Sequence, residues 1–213
     1  MILHGYWRSS ASYRVRVALN LKELEYEYRP VHLLKDGGQQ KLEPYTALNP
    51  AQLVPTLEHN GHKFNQSLAI IEYLDSVFPE TKLIPADPVE AAKARTIAFD
   101  LACELQPITN LRVLQYLVGE LGQSEEGKLA WIHHWIHKAF TSVEARLQDT
   151  AGYFCMGDEV TIADVCLIPQ VYNAQRFNVD LTPYPVLMTV YDNLQQLEAV
   201  QKARPEAQPD AQA

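Results

Sequence analysis

Two different periods of apolar and polar positions run along this chain, and the change between them falls near residue 80. Met1–Tyr6 reads as a short apolar strand. Val15, Ala18 and Leu19 then recur at helical spacing, which predicts a helix over Ser12–Leu21. Tyr26–His32 has strand composition, with Pro30 suiting it to a sheet edge. A crossover of this kind makes the first two strands parallel. Leu53–Glu58 predicts a third strand, and Asn60-Gly61 a hairpin turn into a fourth at His62–Asn65. Gln66-Ser67 opens a helix over Leu68–Phe78, whose Ile70, Ile71, Leu74 and Phe78 share one stripe. The order is β-α-β followed by β-β-α.

Pro79–Pro88 carries three prolines and no period, which makes it the linker. The domains expected are 1–80 and 89–213, joined by 81–88. Beyond the linker the pattern is helical throughout. Val89–Val118 predicts a long helix kinked by Pro107, and Gly119–Gly127 a loop. Leu129, Ile132, Ile136, Phe140, Val143 and Leu147 then form an apolar stripe. Thr161-Ile162-Ala163-Asp164 is a capping-box pattern ahead of the apolar Val165–Val171. Tyr184–Ala199 predicts a last helix, and Pro205–Ala213 a frayed tail.

The composition narrows the function classes. The 213 residues are 47% hydrophobic and 21% charged, which allows ordinary packed cores. A net charge of −8 argues against nucleic acid and anionic membranes as partners. It also means that an acidic substrate would need local arginines. No apolar run is long enough for a bilayer, and no basic, apolar leader pattern opens the sequence. Cys103, Cys155 and Cys166 are odd in number and form no CxxC pair. Buried thiols in a reducing, cytoplasmic setting are expected, with neither disulfides nor zinc.

The candidate chemistry lies between the first strand and the first helix. Ser9, Ser10 and Ser12 are suited to a helix N-cap. A helix start leaves backbone N–H groups unpaired and carries partial positive charge, so hydroxyls there can donate to an anion. Ala11 stands where a cysteine could, so the anion that suits the site is a thiolate brought in by a small molecule. The plain alternative is an ordinary capped helix. His133 and His137 have the spacing of zinc ligands on a helix. Position 134 is His rather than Glu and no third ligand is evident, so solvated histidines and no metal site are expected.

Taken together, these features resemble the cytosolic glutathione transferases, and in detail their zeta class. The motifs are Trp7-Arg8-Ser9-Ser10 with Arg14–Leu19, Asp36–Gln40, Leu48-Asn49-Pro50 with Val54–Leu57, and Gln66–Leu74. Further along they are Ala151-Gly152 with Gly157–Thr161, Pro169–Val171 with Arg176-Phe177, and Val179–Pro185. The resemblance covers nearly the whole chain. It implies an α/β N-terminal thioredoxin-like domain plus an all-α C-terminal domain. The family's Ser-Ser-Cys pattern here reads Ser-Ser-Ala.

The resemblance also implies glutathione as cofactor, a homodimer, and cis-trans isomerisation of maleylacetoacetate to fumarylacetoacetate in tyrosine and phenylalanine breakdown. Maleylpyruvate isomerisation and transfer to small haloacids are alternatives, and a non-catalytic interaction module is disfavoured because the site motifs occur together. Ser9, then Ser10, is expected to face the sulfur. Ala11, Ser12, Tyr13 and Arg14 complete that stretch. Pro55 is expected in cis, with the Val54 backbone pairing to the cysteinyl part of glutathione. Ser67 as a helix cap, with Gln66, would hold the γ-glutamyl end and Gln40 the glycyl end. Gln106, Asn110, Leu111 and Arg112 would reach the cofactor from the second domain. The substrate is a dicarboxylate-type keto acid, for which Arg8, Arg112 and Arg176 are the candidate cations. An ion pair of Arg176 with Asp180 is the alternative there.

Overall fold

The computed structural model describes residues 1–211. The chain divides into two compact units, Met1–Leu83 together with the stretch from Gln195 onward, and Ile84–Leu194.

Unit 1 is the α/β, thioredoxin-like unit. Strands β1 (Ile2–Gly5), β2 (Glu27–Pro30), β3 (Thr56–His59) and β4 (His62–Asn65) form one sheet in the order β2-β1-β3-β4. Helix α1 (Ser10–Leu21) carries the crossover, so β1 and β2 are parallel. The β3–β4 turn is tight because Asn60 and Gly61 both take positive φ, 49° and 77°, which Asn-Gly tolerates. Pro30 lies on the outer strand, where a missing N–H costs no ladder bond. Leu3, Val15, Leu19, Leu57, Ile70 and Leu74 are buried together, joining the sheet to α1 and to α2 (Ser67–Val77).

One register row matters for the site. His4 pairs with Thr56, and Thr56 with Asn65. The residues just beyond that row are Gly5-Tyr6, Val54-Pro55 and Gln66-Ser67, so three separate segments end at the same edge of the sheet. The loop after β2 leaves from that edge too, because β2 runs parallel to β1.

The first part of the linker is fixed to unit 1 by a buried charge. Lys22 donates to Asp75 (2.9 Å) and to the carbonyls of Phe78 (2.9 Å) and Thr81 (2.6 Å), while Asp75 accepts the Leu83 N–H (2.7 Å).

Unit 2 is all helical. The helix expected over Val89–Val118 is three pieces: α3 (Pro88–Phe99), a π-helical stretch over Asp100–Leu105 running into the short α4 (Gln106–Ile108), and α5 (Leu111–Gly119). Pro107 lacks an N–H and cannot continue the i−4 ladder, so the helix widens ahead of it and stops after it. The long α6 (Glu125–Thr150) buries Ile132, Ile136, Phe140, Val143 and Leu147. In α7 (Ile162–Arg176) the capping box of Thr161 and Asp164 is formed. Burial pushes the Asp164 carboxyl upward, against donation from the Cys155 and Thr161 backbone.

Three further expectations are corrected. The last helix is two, α8 (Pro185–Leu194) and α9 (Glu198–Ala203), and α9 belongs to unit 1. There Asn20 donates to the Ala199 carbonyl (3.0 Å) and Arg16 to that of Ala203 (3.1 Å). The tail is not frayed through residue 211: Pro205–Ala207 is a 3₁₀ turn, Pro205 and Asp210 are buried, and Gln208 donates to the carbonyls of Lys202 and Arg204 (3.0 Å each). Residues 212 and 213 lie outside the described residues. Of the cysteines, Cys155 and Cys166 are buried but Cys103 is exposed, because the π-helical stretch turns Leu101, Ala102 and Leu105 inward instead.

Candidate active site

Ser9 is the N-cap of α1, so the helix begins two residues earlier than the apolar period indicates. Its hydroxyl oxygen accepts the Ser12 N–H (3.2 Å), which leaves its own O–H able to donate. No acidic residue lies in the first turn to neutralise the helix's positive end. Ser10 is buried at the first helical position and Ala11 half-buried after it. Ser12, Tyr13 and Arg14 are taken into the interior of unit 1. Ser12 there accepts the Tyr6 N–H (3.3 Å). A Cβ on Gly5 would meet the Tyr28 ring at 3.0 Å and the Ser12 hydroxyl at 3.1 Å, so glycine is what lets β1 and α1 approach.

At the same edge, Val54 is buried just before β3, and its bond to Pro55 is cis, as is Glu43-Pro44. Tyr45 and Asn49 hold this segment. The Tyr45 hydroxyl donates to the Leu53 carbonyl (2.7 Å) and contacts the Thr56 hydroxyl (2.9 Å), and Asn49 donates to the same carbonyl (2.8 Å). Burial raises the Tyr45 phenol above its ordinary range, so it stays a donor. Sequence reasoning passed over Tyr45 and quoted Asn49 only as part of a motif.

At α2 the cap position is Gln66 rather than Ser67, and no side chain among the described residues caps that helix end. Gln66 holds φ 69° and ψ 112°, a region that non-glycine residues rarely occupy. Such outliers persist where surrounding structure imposes them, commonly at ligand sites. Ser67 follows as the first helical residue, and its hydroxyl accepts from Arg14 (3.0 Å). Arg14 therefore acts behind Ser67. Gln40 sits buried in a 3₁₀ turn, Gln39–Lys41, after Gly38 at φ 105°. A Cβ on Gly38 would stand 2.7 Å from the Gln40 amide, so this loop too depends on glycine. The Gln40 side-chain oxygen has no hydrogen-bond partner among the described residues.

Arg8 is exposed and stacks on Trp7, its guanidinium 4.1 Å from the ring centre.

Within unit 2, Gln106 and Leu111 are half-buried, and Asn110 caps α5 by accepting the Arg112 N–H (3.3 Å). Arg112 and Arg176 are exposed, and Arg176 stacks on Phe177 at 4.3 Å. The Asp180 carboxylate accepts the N–H and hydroxyl of Thr182 (3.0 and 2.8 Å), which holds it below the usual carboxylate range. One helix serves both arginine-bearing segments: on α6, Trp131 donates to the Ile108 carbonyl (2.8 Å) and His133 pairs with that of Phe177 (2.8 Å). His133 and His137 are thus not solvated as expected; His137 pairs with the Tyr184 hydroxyl (2.7 Å). Among the described residues no group of three or more His, Cys, Asp or Glu is placed to hold a metal ion, and no helix is long and apolar enough to cross a membrane.

Comparison with known proteins identifies the family. The model of the glutathione S-transferase N-terminal domain matches residues 3–82, and that of its C-terminal domain residues 136–197. A Vibrio cholerae protein named "Probable maleylacetoacetate isomerase" is 49% identical over 211 residues, 99% of this chain and 98% of its own. The holo structure of a maleyl pyruvate isomerase, described as a bacterial glutathione S-transferase in zeta class, superposes with a TM-score of 0.95 at 42% identity, covering 99% of both chains. A maleylacetoacetate isomerase from Methylobacterium extorquens AM1, solved with bound malonate and GSH, superposes with a TM-score of 0.95 at 35% identity over 100% of both. On these matches this chain belongs to the glutathione S-transferase family, in its zeta class.

Proposed function

We propose that the chain is a glutathione-dependent cis-trans isomerase that converts maleylacetoacetate to fumarylacetoacetate. The observation that carries this is the convergence at one sheet edge of a serine-capped helix start, the Val54 backbone and the uncapped start of α2, beside a buried glutamine side chain with an open acceptor. These features fit a γ-glutamyl tripeptide with a central thiol. Bound glutathione supplies a thiolate that adds to the maleyl double bond, frees rotation about it, and leaves again unchanged.

The chain's residues do the rest. A free thiol, with pKa about 8.5, is only a few per cent ionised at neutral pH. Lowering it by about two units requires roughly 3 kcal/mol of differential stabilisation. The Ser9 O–H donates toward the sulfur, backed by the positive end of α1. Ser10 is the second donor, and Ala11 adds no thiol of its own. The N–H groups at the start of α2, with Gln66 and Ser67, take the γ-glutamyl carboxylate, and Arg14 stiffens Ser67 from behind. Val54 pairs strand-like with the cysteinyl residue, and Gln40 takes the glycyl end.

Arg8, Arg112 and Arg176 are the cations for the substrate's carboxylates, Arg176 giving the bidentate grip that orients the alkene. Gln106, Asn110 and Leu111 complete the cofactor contacts. We propose further that the protein is a cytoplasmic homodimer, testable by sedimentation of the purified chain.

Maleylpyruvate stands as a second reading, because the relatives include enzymes named for either substrate. The deciding experiment is a spectrophotometric assay with both maleyl compounds, with and without glutathione. Turnover of maleylacetoacetate at the higher kcat/KM, and only with glutathione, is the expected result. Turnover without glutathione would remove the borrowed thiol.

A further inference from the structure

The stretch after α9, itself part of unit 1, reaches the loop before Ser9. Asp210 is 5% exposed, and one of its oxygens accepts the Trp7 backbone N–H (3.0 Å) and the Tyr28 hydroxyl (3.3 Å). From the other side Arg16, fully buried in α1, donates to the Trp7 carbonyl (2.9 Å) and to the Ala203 carbonyl at the end of α9 (3.1 Å). The peptide groups before and after the Trp7 Cα are thus both pinned, one by an acid from the tail and the other by a base that also holds the tail's root. Two residues later is Ser9, whose own N–H closes the turn onto the Tyr6 carbonyl (3.0 Å). A peptide plane held at both ends leaves little freedom to the residue beyond it. The tail that supplies the acid is itself a built element, with Gln208 bonded across the end of α9.

We propose that Asp210 is a positioning residue for the reaction: the tail latches the Trp7 peptide and thereby fixes where the Ser9 hydroxyl points. This rests on the isomerase reading above. Bonds of this kind set the rate because a catalytic donor displaced by about 1 Å can cost up to 10²-fold.

The test compares Asp210→Ala, Asp210→Asn and Tyr28→Phe in the full chain. Asp210→Ala is expected to speed hydrogen exchange of the Trp7 amide, raise the pKa of bound glutathione, and lower kcat by roughly 10- to 100-fold with little change in KM for the maleyl substrate. Asp210→Asn keeps an oxygen for the Trp7 N–H and should restore most of the loss. Tyr28→Phe leaves that bond in place and should shift all three readouts less; it also serves should the alanine variant fail to fold. A lower melting temperature with unchanged Trp7 exchange and unchanged thiol ionisation would overturn the latch, as would an Asn variant no better than Ala. If the unmodified chain shows no glutathione-dependent turnover, the isomerase reading fails instead, and Trp7 exchange, read without glutathione, still decides whether the tail holds the loop.

Discussion

At the scale of single residues, the two neighbouring serines differ in what they are free to do. Ser9 accepts a backbone N–H and keeps its proton for donation, whereas Ser10 is already inside the helix. Ser9→Ala should raise the bound thiol's pKa and lower turnover by roughly 10², the cost of one donor to developing charge. It also removes a cap worth about 1 kcal/mol, so Ser9→Thr, which keeps cap and hydroxyl, is the control. Ser10→Ala should cost less. Thiolate absorbance titrated in the three variants reads the order, and a larger rise for Ser10→Ala would reverse the assignment. The protein's own thiols make a second contrast. Burial, with Asp164 beside it, pushes the Cys155 thiol well up, and Cys166 is buried too, while Cys103 is exposed. A thiol reagent at neutral pH should label Cys103 alone in the native protein and all three after denaturation, with no loss of isomerase activity in the labelled enzyme.

Among the elements, α1, α2 and the linker meet at one charge. Lys22 at the end of α1 has carbonyls and a carboxylate around its ammonium group, and both ion-pair partners are buried. Lys22→Met would remove the buried ion-pair partner of Asp75, a loss of roughly 3–5 kcal/mol that a urea titration would measure. Adding Asp75→Leu should recover much of it. None of this was legible in the sequence, where Lys22 is one more polar residue after a helical stripe. The strands, the Asn60-Gly61 hairpin and the α6 stripe were legible, since each is written in a local period. Pro107 signalled a break but not its form, because a π-helical turn has no composition of its own. Ser67 was misplaced by one residue, since Gln66 can cap only by taking a φ that no pattern announces. The roles of His133 and Trp131 rest on backbone carbonyls 44 and 23 positions away, beyond any local period.

For the whole molecule, phenols taken wholly or partly out of water set the alkaline limit. Tyr26, Tyr28 and Tyr45 are all pushed above the ordinary phenol value of 10.0, chiefly by burial. A group that holds its proton more tightly when folded stabilises the fold below the unfolded pKa, and that stabilisation is lost as pH rises through the folded one. Stability should therefore fall as pH climbs past about 10, with tyrosinate absorbance appearing together with unfolding rather than before it. Tyr28→Phe should flatten that fall. The sequence divided the chain at residues 81–88 and gave the second domain everything after; that helical period is real, but it could not report which unit α9 packs on. That is decided by long-range bonds such as those of Asn20 and Arg16, to positions 179 and 187 further along the chain.

Unit 1 is assembled from two stretches of chain with the whole of unit 2 between them. During synthesis, Ile84–Leu194 must emerge after the sheet and before α9 and Asp210, an interval on the order of ten seconds at ordinary elongation rates. Until then the nascent sheet lacks the segment that covers Arg16 and Asn20, so those polar groups await partners that have not yet been made. The serine loop is translated before unit 2, yet its bond to Asp210 forms only after unit 2 has been made. A chain cut before Asp210 would thus act like a lesion at Trp7, leaving the peptide next to the Ser9 turn without its acid partner.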